Sequence, residues 1–153
     1  MTDHPLLVGL EEIAGAPEAR LRSPEWLTGV LRRVGLVRQP HAFDEADHVY
    51  LCPSPLMGIF QQPEELASFL VSLADENVQT FLEVGTWTGW TIALITAYLK
   101  RFSPGIHVTA LDIDLLPSKP MHAMASGLPL TFVQGEAKDI AGKQNNILRL
   151  HFC

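Results

Sequence analysis

The chain has 153 residues, 47% of them apolar and 18% charged, with a formal net charge of −6; these proportions fit one globular domain rich in core-forming side chains and exclude a disordered chain or a repeat array. The acidic balance argues against nucleic acid as a partner, because phosphate binding needs a surplus of Lys and Arg. No stretch reaches the ~18 apolar residues that cross a bilayer, and Asp3 and His4 stand where a secretory signal would carry basic residues, so the expected setting is cytoplasmic with no membrane partner.

Residues 1–60 read as an irregular, partly helical N-terminal extension punctuated by Pro5, Pro17, Pro24, Pro40, Pro53 and Pro55. Its clearest element is a helix capped by Ser23 and opened by Pro24 and Glu25, with Trp26, Val30, Leu31 and Val34 at helical spacing before Gly35. Arg20, Arg22, Arg32, Arg33 and Arg38 are read as a solvated helix face rather than an anion patch. Cys52 and Cys153 form no Cys-x-x-Cys pair and are read as free thiols.

Residues 61–140 hold an alternating pattern. A helix is predicted from about Pro63 to Ala74, with Glu64 and Glu65 in its first turn and Leu66, Phe69, Leu70 and Leu73 on one face. Val78 to Val84 is a short apolar strand ending at Gly85. From about Thr88 a helix with Thr91, Leu94, Ile95, Tyr98, Leu99 and Phe102 on one face runs to Ser103-Pro104-Gly105. Ile106 to Ile113 is a second strand, Ser118 to Ser126 a weaker helix, and Leu130 to Val133 a third strand. Strand and helix in alternation imply an α/β fold with a parallel sheet. Residues 141–153 form an atypical tail.

The segment that carries chemistry is Glu83-Val84-Gly85-Thr86-Trp87-Thr88-Gly89, placed where a strand gives way to a helix. Such a turn gathers backbone N–H groups and the positive helix end, and glycines let an anionic group approach closely. Asp112 lies at the end of the next strand, where a carboxylate faces a ribose diol in a βαβ nucleoside site. The glycines are spaced Gly-x-x-x-Gly, unlike the dinucleotide Gly-x-Gly-x-x-Gly, and no Gly-Lys-Ser/Thr of a P-loop follows. An NAD-type domain is therefore the weaker reading. Glu83, within an apolar strand, is read as functional because burying an idle carboxylate is costly. Trp87 and Trp90 are each open to two readings, pocket lining or domain cover. Asp114 is read as a helix cap and His107 as a surface residue. The six histidines show no ligand spacing, so no metal site is expected.

At these residues the chain resembles the class I S-adenosylmethionine-dependent methyltransferases, especially small-molecule O-methyltransferases whose first motif reads Glu-Ile/Val-Gly-Thr-x-x-Gly. Val108-Thr109-Ala110-Leu111-Asp112-Ile113-Asp114 is similar to the family's second strand with its ribose-binding acid, and Gly135-Glu136-Ala137 to its Gly-Asp-Ala. The resemblance implies a Rossmann-like methyltransferase fold, a parallel sheet with helices on both faces, and S-adenosylmethionine as cofactor. It implies a cofactor site of Glu83, Gly85, Thr86, Trp87, Gly89, Asp112, Ile113, Glu136 and Ala137. Glu83 would attract the cofactor ammonium, Asp112 the ribose diol, and Ile113, Glu136 and Ala137 would flank the adenine.

The likeness covers roughly Gly58 to Asp139, whereas the family's domain continues through further strands. The catalytic base, any metal ligand and most of the acceptor site have no counterpart among these residues. The expectation is an incomplete fold of three strands, an N-terminal methyltransferase fragment whose first strand is an open edge that invites a homo- or hetero-oligomer. The leading function is methyl transfer to an oxygen of a small-molecule acceptor; the alternative is an inactive methyltransferase-like interaction module.

Overall fold

A computed structural model describes residues 4–34, 62–86, 88–113, 119–136, 138 and 149–150. Trp87, Asp114, Ala137, Arg38 and both cysteines lie outside the described residues, as do residues 35–60. Among the described residues four helices precede the sheet: α1 (Pro5–Gly15), α2 (Glu18–Leu21), α3 (Pro24–Arg33) and α4 (Pro63–Leu73). Then follow β1 (Thr80–Val84), α5 (Trp90–Phe102), β2 (His107–Asp112), α6 (Lys119–Met124), β3 (Leu130–Gln134) and the two-residue β4 (Arg149–Leu150).

Residues 4–34 are more regular than their prolines suggest. Pro5 and Pro24 stand at first helical positions, where a missing N–H costs nothing. The His4 ring accepts from the Leu6 N–H at 3.3 Å to cap α1, and Ser23 Oγ accepts from the Trp26 N–H at 3.2 Å to cap α3. Three of these arginines pair with acids: Arg22 with Glu18 at 2.8 Å and Asp75 at 2.9 Å, Arg33 with Glu12 at 2.6 Å, and Arg32 with Glu64. These exposed pairs agree with the solvated-face reading.

The described strands are all parallel, in the order β3-β2-β1-β4. This corrects the expectation of an open first strand: β4 pairs with β1 through Leu82↔Arg149 and Glu83↔Leu150. A two-residue strand has no periodicity to announce it, so only the backbone pairing reveals it.

Register and alternation put Phe81, Glu83, Val108, Ala110, Leu130 and Phe132 on one sheet face. Phe81, Val108 and Ala110 belong to the main core, and Leu130 and Phe132 pack against it. The same core takes in α1, α3, α4 and α5, so these helices lie on that one face. Helices on both faces were expected; among the described residues the other face carries Leu82, Val84, Leu111 and Val133 without a helix. Right-handed crossovers that step in one direction from β1 to β3 leave successive helices on the same side.

α5 is the centre of the core. Every residue from Trp90 to Leu99 is buried, not only one stripe, because the N-terminal helices cover the side turned away from the sheet. The absence of a side chain at Gly9 lets α1 approach closely, since a Cβ there would collide with Val34 and touch Leu94 at 3.5 Å. Tyr98 Oη donates to the Leu21 carbonyl at 3.0 Å, and Arg101 donates to the Ile13 carbonyl at 2.8 Å. No described helix is long and apolar enough to cross a membrane.

Candidate functional site

The carboxyl ends of β1 and β2 and the start of α5 meet at one point. β1 stops because Gly85 takes φ +84°, the left-handed region, and Gly89 takes the same value as the cap of α5. Nothing would obstruct a Cβ at Gly85, so there the conformation alone favours glycine. At Gly89 space matters as well: a Cβ would lie 3.1 Å from the Phe132 ring and 3.5 Å from Met121. Phe132 and Met121 thus form a wall against the turn that the sequence reading did not identify. The available signal was Phe132 standing on the inward face of the third strand, two residues beyond Leu130.

Hydrogen bonds fix this junction. The Gly85 N–H donates to the Leu111 carbonyl at 2.8 Å, which carries the β1–β2 ladder one residue past the strand. The Thr86 N–H then donates to Asp112 Oδ2 at 2.7 Å, so the predicted turn and the predicted ribose acid are in direct contact. The Gly89 N–H closes the turn onto the Thr86 carbonyl at 3.1 Å. Gly89 offers no capping side chain, and the first turn of α5 has no acid to complement its positive end.

Glu83 is the unusual member. Its side chain is only 6% exposed, Oε2 has no hydrogen-bond partner, and Thr86 Oγ1 beside it is likewise buried without one. Burial pushes the Glu83 carboxyl up to about 8; the proximity of the Thr86 hydroxyl offsets part of this without forming a well-aligned bond, and the Asp112 charge adds to it. Glu83 and Asp112 follow one alternation on neighbouring strands, and both end on the helix-covered face.

The remaining predicted residues divide. Ile113 is 67% exposed, an uncovered apolar side chain at the rim, with its carbonyl accepting from Gln134 Nε2 at 3.1 Å. The Gly135 N–H donates to the Asp112 carbonyl at 2.9 Å, so the segment after β3 is tied to the same edge. Glu136 is exposed and salt-bridged to Lys138 at 2.7 Å. Trp90 is buried in the core, with the His4 ring edge-on at 4.9 Å, and so serves as cover. His107 is exposed, as read from the sequence.

The structure therefore brings Glu83, Gly85, Thr86, Gly89 and Asp112 together, with Ile113 at the rim. Compared with protein-family models, curated proteins and solved structures, the chain gives no match.

Proposed function

We propose that the chain binds S-adenosylmethionine at the carboxyl edge of β1 and β2 and serves methyl transfer to an oxygen of a small molecule. A Rossmann-like sheet would run in the order β3-β2-β1-β4 around its first strand, which supports this reading, and ligands of such sheets sit at the switch between β1 and its outer neighbour. The observation that carries the reading is Glu83: a buried carboxylate with an unanswered oxygen, beside a glycine turn and one strand from a second acid.

The residues fit the cofactor's polar groups. Glu83 Oε2 has acceptor capacity for an ammonium, the Thr86 hydroxyl can donate or accept beside it, and the uncapped start of α5 suits a carboxylate. Asp112 holds the Thr86 N–H and would accept from the ribose hydroxyls, which couples the shape of the turn to the nucleoside. Ile113 supplies an apolar surface for the adenine. When bound, the cofactor supplies an electrophilic methyl for in-line displacement; the protein's work is to hold it and the acceptor at attack distance. A cytoplasmic setting accompanies this reading.

Calorimetric titration with S-adenosylmethionine, S-adenosylhomocysteine and NAD, beside Asp112→Ala, tests the proposal. Binding of the adenosyl amino acids, weakened in the variant by about 10- to 100-fold, is expected from loss of a charged hydrogen-bond acceptor. Preference for NAD would move the site to the dinucleotide class. A folded chain that binds none of them would leave an interaction module.

A further inference from the structure

An ionised Glu83 in the ligand-free protein would be desolvated, with Oε2 lacking a hydrogen-bond partner and the Thr86 hydroxyl beside it offsetting only part of the burial. Among the described residues, the groups packed around it do not repair this. From β2, Asp112 adds charge of the same sign. The buried length of α5 carries no charged residue, and its one titratable group, Tyr98, donates to Leu21 instead. α1 brings His4 against Trp90, and α6 brings His122 edge-on to Phe132 at 4.9 Å. On β4, Leu150 shares register with Glu83, whereas Arg149 shares it with Leu82. β3 presents Leu130 and Phe132 on the shared face.

We propose that Glu83 is protonated in the ligand-free protein and gives up its proton when a ligand ammonium docks beside it, so that the site takes a nucleoside-linked amino acid in exchange for one proton. This rests on the cofactor reading above and specifies how that site selects its ligand. The carboxyl O–H bond breaks, the proton passes to water, and the carboxylate left behind accepts an N–H from the ammonium. A ligand lacking the ammonium leaves the proton in place. The Asp112 charge, which disfavours ionisation of Glu83 in the free protein, is by then engaged with the ribose.

Two consequences separate this exchange from simple charge attraction. Below about pH 8, affinity for a ligand carrying the ammonium rises about tenfold per pH unit while that group stays charged. Affinity for the same nucleoside without the amino acid stays flat.

The test is calorimetry of the whole chain at pH 6.5 in two buffers of different ionisation enthalpy, with S-adenosylhomocysteine and with 5′-methylthioadenosine, which lacks the amino acid. S-adenosylhomocysteine is expected to release about one proton per site, 5′-methylthioadenosine none, and Glu83→Gln none with either. Should Glu83→Gln fail to fold, the contrast between the two nucleosides on the unaltered chain still decides. Binding of S-adenosylhomocysteine without proton release, or equal release from Glu83→Gln, overturns the exchange and leaves the cofactor reading intact. Binding of neither nucleoside overturns both.

Discussion

The helix layer and the carboxyl edge of the sheet obey opposite rules. Around α5, ten consecutive residues from Trp90 to Leu99 are buried, and the Tyr98 hydroxyl among them finds the Leu21 carbonyl. One turn before that helix, Gly85 and Gly89 hold left-handed backbone, and Glu83 Oε2 and Thr86 Oγ1 are buried without partners. Local preference, packing and polar satisfaction agree in the first region and conflict in the second. Sequences depart from consistency where something other than stability is selected, so the conflict supports the proposal that the edge is the working part and the helix layer its support.

The comparison breaks most directly at the core. Leu94→Ala, at a fully buried position on α5, is expected to lower unfolding free energy by about 4 kcal/mol, read by urea denaturation. The fraction still folded should keep its nucleoside affinity; a lost site in a stable Leu94→Ala protein would mean that the two regions are not separable.

Glu83→Gln sharpens the contrast because it should stabilise. Glu83 titrates at about 8 in the fold against an ordinary carboxyl value of 4.5. Between those values the unfolded chain has released a proton that the folded chain retains, so stability falls as pH rises through that window and levels off above it. Glu83→Gln removes this slope and should add on the order of 5 kcal/mol at pH 8.5, while differing little from the parent near pH 4. Denaturation series at several pH values check this, and a parent whose stability rises from pH 5 to 8 would contradict it.

Gly89→Ala combines a disfavoured φ with the Phe132 contact and should cost about 2 kcal/mol, against about 1 kcal/mol at Gly85, where only the backbone conformation resists. Equal losses at the two glycines would remove Phe132 from the account. Tyr98→Phe should cost about 1 kcal/mol through the Leu21 bond. Arg32→Ala, at an exposed pair with Glu64, should cost about 0.5 kcal/mol or less. Thermal melts resolve this lower end.

How much was legible in the sequence follows the same division. The strand–turn–helix around Glu83 and Gly89 and the contact with Asp112 could be read because polar residues and glycines inside an apolar pattern are conspicuous and their spacing is set by a βαβ unit. Helix and strand limits fell within about two residues because caps and breakers such as Ser23, Pro63 and Gly85 are local signals. α1 was missed because Pro5 and Pro17 look like interruptions, although Pro5 starts a helix. The full burial of α5 was missed because its cover comes from distant residues such as Leu6 and Ile13. β4 was missed because two residues in a sheet are specified by their neighbour and not by themselves. What escaped the sequence is therefore long-range packing, and what it displayed is local chemistry.

The most direct test of the central claim is titration of the folded chain with S-adenosylhomocysteine, beside Asp112→Ala and NAD. Saturable binding that falls at least about tenfold in Asp112→Ala, with NAD giving no heat, is the predicted result. A folded chain that ignores S-adenosylhomocysteine, or that binds it equally well without the Asp112 carboxylate, would contradict the claim that the β1–β2 edge is an adenosyl cofactor site.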